Sequence, residues 1–186
     1  PPSGLAVTEL TTTSPAIAGE PLNVNATVQN IGEETAFESV NLFVGGSDVD
    51  SEGVTLNPGV VAELTFVWST TQSDVGSHNV EVLEHTESVS VEEPADFTAT
   101  IDSTTSPVTA GNPLDVVATI ENVGQTAQSQ TVKLFAGDLE KDTQEVALSA
   151  GEEQTVRFTW ETTGSDIGYY RLYVLDDSKS VNINAP

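Results

Sequence analysis

Residues 14–32 read SPAIAGEPLNVNATVQNIG, and residues 106–124 repeat this stretch as SPVTAGNPLDVVATIENVG. The two copies are offset by 92 positions, and the same offset aligns residues 5–94 with residues 97–186 without a gap. Self-similarity over such a length indicates a repeated structural unit. The chain therefore contains two tandem copies of one unit.

Each copy is long enough to form a domain of its own. We predict two domains, residues 1–93 and 94–186, because units of about 90 residues lie near the lower limit for a self-sufficient core. The hydrophobic fraction of 37% suits a globular protein. Pro2, Pro94 and Pro186 share one spacing, which favours a longer array in the parent protein.

Short runs of alternating apolar and polar side chains predict β-strands, with the apolar members pointing inward. Turn residues interrupt these runs about every ten residues, as at residues 57–59 (Asn-Pro-Gly) and 149–151 (Ser-Ala-Gly). The residues predicted to point inward are Val24, Ala26, Val28, Val40, Leu42, Val44, Leu64, Phe66, Trp68, Val80 and Val82, with Val116, Ala118, Ile120, Val132, Leu134, Ala136, Val156, Phe158, Trp160, Leu172 and Val174 in the second repeat. We predict an all-β chain of two immunoglobulin-like β-sandwich domains with about seven strands each.

The charge balance is strongly acidic. Five Lys and Arg residues stand against 29 Asp and Glu, a formal net charge of -24. Such a surface opposes binding to nucleic acid or anionic membranes. Molar salt shortens the screening length to about 3 Å and removes most of the self-repulsion, which favours a halophilic source over a merely acidic secreted protein. With no Cys, the chain has no disulfides or thiol chemistry.

Both repeats contain the same short motifs in the same order, and this order resembles that of a known family. AGEPLNVNATVQNIG or AGNPLDVVATIENVG is followed by LFVGG or LFAGD, then by TFVW or RFTW, and then by VG or IG before a strand. This pattern is similar to CARDB, the cell-adhesion-related domain found in bacteria and also in archaea, over nearly the whole chain in two copies. The resemblance implies tandem immunoglobulin-like sandwiches in secreted or surface-anchored proteins, with an adhesive or spacer role and no catalytic residues. The acidity points further, to a haloarchaeal surface protein.

No constellation for catalysis stands out. The only histidines, His78 and His85, correspond to Tyr170 and Asp177 in the second repeat, so we interpret them as structural. Alternation points His78 inward and leaves His85 in a turn. No nucleophile-elbow motif occurs, and the scattered carboxylates fit a solvated acidic face better than a hydrolytic cleft. We predict a protein that is not an enzyme and binds no cofactor.

One segment partly matches a calcium-binding loop. Asp48, Asp50 and Glu52 alternate ahead of Gly53, as oxygen ligands do at the start of such a loop. The twelfth position of that loop is Gly59 instead of a bidentate Glu. These three carboxylates are weak metal candidates, and a solvated hairpin is the alternative.

A single glycosylation sequon occurs, at Asn25 in Asn-Ala-Thr. Alternation puts Asn25 on the solvent face of its strand. We therefore expect this residue to be an acceptor for an N-linked glycan in a surface protein.

The sharpest hypothesis concerns one outward face of the second repeat. Two predicted neighbouring strands carry cationic and aromatic side chains of the kinds enriched at binding hot spots, and the first repeat retains only one of them. The predicted interface residues are Lys133, Phe135, Tyr169, Arg171, Tyr173 and Phe43. We expect an asymmetric, head-to-tail contact with another copy of the chain, and the alternative is a set of cross-strand pairs covered by a loop.

Two classes of function remain open. The first is a structural or adhesive module, a repeat of an extracellular filament, coat or surface appendage such as a virion part, engaging neighbouring subunits. The second is a carbohydrate- or protein-binding spacer module of a larger secreted enzyme. The resemblance implies an extracellular location, and no apolar stretch approaches the about 20 residues of a membrane span.

Overall fold

The structure is a computed structural model that describes residues 4–186. The chain divides into two compact units, with the boundary between Glu93 and Pro94. Pro2, the first of the three regularly spaced prolines, lies outside the described residues. Both units are built almost entirely of strands, which confirms the predicted all-β class.

The described part of each unit contains eight strands. The strands of the first unit are β1 (Leu5–Thr12), β2 (Ala16–Ile17), β3 (Pro21–Asn30), β4 (Ala36–Val44), β5 (Ser47–Leu56), β6 (Val61–Ser69), β7 (Gly76–Val82) and β8 (His85–Glu92). Those of the second are β9 (Phe97–Thr104), β10 (Val108–Thr109), β11 (Pro113–Asn122), β12 (Gln128–Ala136), β13 (Leu139–Leu148), β14 (Glu153–Glu161), β15 (Gly168–Val174) and β16 (Asp177–Asn184). The predicted count of about seven misses β2 and β10, since two residues are too short to show alternation.

Each unit is a sandwich of a three-stranded and a five-stranded sheet. The strand orders are β1-β3-β6 and β2-β8-β7-β4-β5 in the first unit, and β9-β11-β14 and β10-β16-β15-β12-β13 in the second. All pairings are antiparallel except β2 with β8 and β10 with β16. A single-turn 3-10 helix precedes β7 (Gln72–Asp74) and β15 (Gly164–Asp166).

The apolar faces of the two sheets form one core in each unit. Every apolar residue predicted to point inward is buried, including Trp68 and Trp160, whereas His78 is only half-buried. Burial of alternating side chains from both sheets explains why the period-2 pattern runs through nearly every strand.

A buried asparagine at the end of β3 and β11 ties loops to each core. Asn30 donates from Nδ2 to the carbonyl oxygens of Glu34 and Leu56, both at 2.8 Å, and its Oδ1 accepts from Gly32 N–H at 2.9 Å. Asn122 makes the equivalent bonds in the second unit. Loop backbone groups that would otherwise be unpaired are satisfied in this way.

Tight turns follow the predicted chemistry at some positions and depart from it at others. Gly59 and Gly151, with φ of 78° and 68°, turn the chain from β5 to β6 and from β13 to β14. The hairpins β7–β8 and β15–β16 instead use Leu83 and Leu175, with φ of 54° and 48°. This left-handed conformation usually calls for glycine.

Candidate interaction surfaces

The outward face of β12 and β15 brings two predicted interface residues into direct register. Phe135 on β12 lies opposite Tyr173 on β15 in the antiparallel ladder. The inward neighbours Leu134 and Leu172 are fully buried, which fixes the outward direction of the two aromatic rings. A shallow depression of about 450 Å³ lies beside them, next to Gly137.

Arg171 and Tyr169 extend this face along β15. The guanidinium carbon of Arg171 lies 5.8 Å from the ring centroid of Tyr173, within cation–π range. Arg171 also donates from Nε and Nη2 to Ser178 Oγ, at 3.0 and 2.8 Å, which holds the guanidinium against the sheet. Tyr169 stands two residues further along and is 86% exposed.

Lys133 lies on β12, two residues before Phe135, and belongs to the same outward face. Its Nζ atom lies 2.7 Å from Glu140 Oε2 on β13, and both side chains are nearly half exposed. The ammonium is therefore paired within its own sheet, in contrast to Arg171, whose partners are a ring and a hydroxyl. We call the five residues Lys133, Phe135, Tyr169, Arg171 and Tyr173 the aromatic patch.

The equivalent face of the first repeat is acidic. Phe43 on β4 lies opposite Glu81 on β7, where the second repeat has Tyr173. Asn41 donates to Asp48 Oδ2 at 2.5 Å in the position of the Lys133–Glu140 pair. The first repeat thus presents Glu81 and Asn41 where the second presents Tyr173 and Lys133.

Charge is also divided unequally along the chain. All Lys and Arg residues lie in the second repeat, at positions 133, 141, 157, 171 and 179. The carboxylates of the first repeat have no lysine or arginine in the same repeat to balance them. The first repeat is therefore the more strongly anionic of the two.

The calcium-loop candidates lie on β5 and are engaged in the sandwich. Asp50 Oδ2 accepts from the backbone N–H of Val67 on β6 at 2.8 Å, and its Oδ1 accepts from Ser51 N–H at 2.8 Å. Asp48 receives the Asn41 amide, and Glu52 is exposed. Within residues 4–186, no group of three or more His, Cys, Asp or Glu side chains is arranged to hold a metal ion.

Asp142 repeats the role of Asp50 in the second unit. Its Oδ2 accepts from Thr159 N–H at 2.8 Å, and its Oδ1 accepts from Thr143 N–H at 2.7 Å. Each carboxylate thus joins the five-stranded sheet to the edge strand of the three-stranded sheet. The signal was present in the sequence, because an Asp recurs at the constant offset while its neighbours change, but alternation alone assigns it no partner.

A bulge residue of the second repeat makes a contact that sequence reasoning missed. The ladder of β12 and β13 skips Lys141, whose Nζ lies 4.2 Å from the centroid of Trp160 and 3.9 Å from Asp166 Oδ1. Hydrogen bonds from the Thr163 hydroxyl and backbone N–H, followed by the charge of Lys141, hold the pKa of Asp166 below its ordinary value. In the first repeat the bulge residue is Val49, so no cation lies at this position.

The two histidines have different surroundings. His78 is half-buried, its ring packs edge-on against Trp68 with centroids 5.0 Å apart, and its Nε2 lies 2.7 Å from the carbonyl oxygen of Asp74. His85 is exposed and opens β8 opposite Val82, so the prediction that it lies within a turn is off by one residue. The ring of Tyr170 occupies the place of His78 against Trp160, which is a packing role.

Asn25 lies in the middle of β3 and is exposed on the outer face of its sheet. Its neighbours across the sheet are Thr11 on β1 and Thr65 on β6, and its Oδ1 accepts from Thr65 Oγ1 at 2.8 Å. The amide nitrogen Nδ2, the atom that would carry a glycan, takes no part in that bond.

The class of protein follows from the fold and these surfaces. Two β-sandwich modules expose polar, aromatic and acidic faces, and the described residues contain no helix long and apolar enough to cross a membrane. The CARDB family model matches residues 3–93 and again residues 94–182. The chain belongs to the CARDB family, as the resemblance of its motifs indicated.

Comparison with solved structures gives immunoglobulin- and fibronectin-like neighbours at low similarity. The chain is 18% identical to the fibronectin(III)-like modules of Clostridium thermocellum CbhA, with 95% of each chain covered and a TM-score of 0.36. Against the teleost fish polymeric Ig receptor ectodomain the identity is 13%, the coverage 95% and 98%, and the TM-score 0.30. For red sea bream transglutaminase the identity is 12%, with 96% of this chain and 32% of that chain covered and a TM-score of 0.36. A comparison with curated protein sequences gave no match.

The chain is thus a pair of adhesion-type β-domains of a kind that is typically non-catalytic.

Proposed function

We propose that this chain is a structural and adhesive repeat on the extracellular surface of a halophile, a segment of a filament, coat or appendage that binds neighbouring copies of itself. The aromatic patch of the second repeat supplies one side of the contact. The single observation that carries the proposal is the cluster of Phe135, Tyr173 and Arg171, in which two aromatic residues lie opposite each other on neighbouring strands and an exposed cation lies in range of the Tyr173 ring. Arg and Tyr are the residue types that most often dominate binding energy.

The complementary surface is the equivalent face of the first repeat. There Phe43 and Glu81 occupy the positions of Phe135 and Tyr173, and Asp48 lies nearby as an exposed carboxylate. Opposite charges at a contact fix its register and favour association. A patch that meets a different patch makes a heterologous contact, which propagates head to tail into open chains.

Sedimentation of the full chain tests the patch. The Arg171→Ala/Tyr173→Ala variant should associate at least about tenfold more weakly than the unaltered chain. Arg157→Ala is a matched control, because its side chain is 66% exposed and lies on β14, in the other sheet of the same repeat. Unaltered assembly of the double variant, or equal weakening by the control, would contradict the role of the patch.

A charge exchange tests the head-to-tail arrangement. Arg171→Glu and Glu81→Arg should each weaken association because each creates a like-charged contact. An equimolar mixture of the two variants should associate better than either alone, since the patch of each variant then meets a face of opposite charge on the other. Absence of this rescue, or particles that stop at a symmetric dimer, would argue against a heterologous contact.

The halophilic source rests on the net charge of -24. Repulsion among carboxylates should lower the free energy of unfolding at low salt, and screening should restore it. We expect the urea midpoint to rise between 0.1 M and 2 M NaCl. A midpoint that is the same at both salt concentrations would point to an ordinary acidic protein.

A glycan on Asn25 is the further modification that we propose for this surface. The exposed Nδ2 and the retained Oδ1 hydrogen bond to Thr65 support it. Intact-mass measurement of protein from the native source should exceed the polypeptide mass, and Asn25→Gln expressed in the same host should lack the excess. A bare polypeptide mass would refute the modification.

A further inference from the structure

The edge strand of the three-stranded sheet is capped by side chains in the second repeat. Asp176 Oδ1 accepts from Ala99 N–H at 2.9 Å, and Asp177 Oδ2 accepts from Ile101 N–H at 2.7 Å. Lys179 donates to the carbonyl oxygens of Ile101 and Asp102, at 3.3 and 3.2 Å. The β15–β16 hairpin thereby occupies the outer backbone groups of β9, which a bare edge strand would leave open to pairing.

The first repeat lacks these caps. Glu84, His85 and Glu87 stand at the positions of Asp176, Asp177 and Lys179, and all three are exposed. Among residues 4–186, no hydrogen bond joins the β7–β8 hairpin to β1. The same edge is therefore closed in one repeat and open in the other.

The open edge also leaves apolar side chains half covered. Leu5 and Val7 on β1 are only half-buried, whereas their equivalents Phe97 and Ala99 are buried. A groove of about 420 Å³ runs between β1 and the hairpin. Its walls are formed by Leu5, Val7, Ile31, Leu83, Glu84 and His85.

The backbone of β1 is oriented to receive a further strand. Val7 lies opposite Val28 in the same register as Ala99 opposite Ile120. The N–H of Val7 therefore points away from β3, as the N–H of Ala99 points toward Asp176. It is a donor at the sheet edge, beside the half-buried side chains of Leu5 and Val7, which precede a β-bulge between Val7 and Glu9.

Charge defines the chemistry of the incoming strand. In the second repeat a lysine satisfies the outer carbonyl groups of β9, and in the first repeat Glu87 stands at that position in a unit without any lysine or arginine. From this complementarity we infer that the β1 edge of the first repeat binds an extended, basic peptide segment of another protein by β-strand addition. Main-chain hydrogen bonds supply the affinity, alternate apolar side chains enter the groove, and Lys or Arg side chains face Glu84 and Glu87.

Nuclear magnetic resonance of the 15N-labelled full chain in 1 M NaCl tests this inference. The probe is the acetylated and amidated octapeptide (Lys-Val)4, and the high salt suppresses binding to the general acidic surface. We expect saturable amide shifts confined to β1 and residues 83–85. Shifts spread over the acidic surface, or no saturable shift, would overturn the inference.

Matched peptides and variants separate strand addition from simple charge attraction. A (Lys-Val)4 peptide methylated on alternate backbone nitrogens keeps its charge but loses the main-chain bonds, and it should bind at least about tenfold more weakly. Measured in 0.15 M NaCl, where charges are less screened, the peptide (Glu-Val)4 should bind more weakly than (Lys-Val)4, since it opposes Glu84 and Glu87. Val7→Pro removes the outward N–H, which edge strands tolerate, and should weaken binding of (Lys-Val)4.

The attraction between the lysines of the peptide and the carboxylates of the first repeat can be tested without changing the backbone of β1. Glu87→Lys imitates Lys179 and should weaken binding of (Lys-Val)4 while leaving the fold unchanged. Equal binding of the methylated and unmethylated peptides, or of the acidic and basic peptides, would overturn the proposed mode of recognition. Because all these substitutions lie outside the aromatic patch, failure here leaves the self-association proposal untouched.

Discussion

Asp142 Oδ2 accepts a hydrogen bond from the backbone N–H of Thr159 at 2.8 Å, and Asp50 does the same for Val67 in the first repeat. In both units the carboxylate belongs to the last strand of the five-stranded sheet, and the N–H belongs to the edge strand of the three-stranded sheet. One ionised side chain thus joins the two layers of each sandwich without any contact in the core. It also accepts a hydrogen bond from an N–H group of the edge strand that points away from the neighbouring strand of its own sheet and would otherwise be unpaired.

Removing this carboxylate should destabilise the second repeat. Hydrogen bonds to charged groups contribute about 1.5–3 kcal/mol, so Asp142→Ala should lower the free energy of unfolding by about that amount, and Asp142→Asn by less. Urea unfolding followed by Trp160 fluorescence in a Trp68→Phe background isolates this repeat. Glu145→Ala is a control for the loss of one negative charge, since Glu145 is an exposed residue on the same strand. If the control is as destabilising as Asp142→Ala, the interlayer bond is unimportant.

The fold was predictable because the long strands bury one face and expose the other. Val24, Leu64 and Val132 alternate with polar neighbours, and a constant offset shows each inward position twice. Strands β2 and β10 were not predicted because two residues are too few to show alternation. The positive φ of Leu83 was equally hidden, since a leucine gives no local signal for a left-handed turn.

The contact between Lys141 and Trp160 should contribute to the stability of the second repeat. Its ammonium lies over Trp160 and near Asp166, and a partly buried cation–π contact contributes about 0.5–2 kcal/mol. Lys141→Met keeps the aliphatic stem and should lower the free energy of unfolding of the second repeat within that range. In the reverse direction, Val49→Lys should stabilise the first repeat by bringing a cation to Trp68. Fluorescence-detected urea unfolding measures both, and a destabilised Val49→Lys variant would contradict the account.

The pKa of Asp177 leads to a pH dependence specific to the second repeat. Hydrogen bonds from the backbone N–H groups of Ile101 and Ser178, with a smaller effect of Lys179, hold this pKa below its ordinary value of 3.8. A carboxyl with a lowered folded-state pKa contributes stability above its unfolded pKa and loses it as pH falls through the folded pKa. The contribution should therefore be complete well above pH 3.8, begin to fall near that pH, and be lost as the pH falls further through the lowered folded-state pKa.

The Asp177→Asn variant isolates this contribution from the other carboxyls. Its free energy of unfolding should fall below that of the unaltered chain at pH 7, and the difference should shrink as the pH drops toward 2. Urea unfolding at a series of pH values, followed by Trp160, gives the two curves. Parallel curves for Asp177→Asn and the unaltered chain would contradict the pKa argument.

The site was predictable only in part, because exposure follows from alternation but pairing does not. The outward direction of Phe135 and Tyr173 follows from the burial of their neighbours, and their adjacency from the sandwich topology. The hydrogen bonds of Asp176 and Asp177 to β9 depend on contact between two sheets, and no spacing along the chain reveals that contact. The closed edge differs from the open one in three residues of the adjoining hairpin. The second repeat has Asp176, Asp177 and Lys179 where the first has Glu84, His85 and Glu87.

At the hairpin residue Leu175 we expect a glycine variant to be more stable than an alanine variant, which is the reverse of the usual order. Leu175 has a φ of 48° and packs against the core, so its side chain compensates for a backbone conformation that costs a non-glycine residue about 1–2 kcal/mol. Leu175→Ala should lose the packing and keep the strain, whereas Leu175→Gly should lose the packing and relieve the strain. The glycine variant should therefore be the more stable of the two by about 1 kcal/mol, with both less stable than the unaltered chain. At Leu139, an exposed strand residue outside the left-handed region, alanine should instead be better than glycine by about 0.5–1 kcal/mol. Thermal or urea unfolding of the four variants decides the matter, and the same order at both positions would show that strain at Leu175 is not what sets its stability.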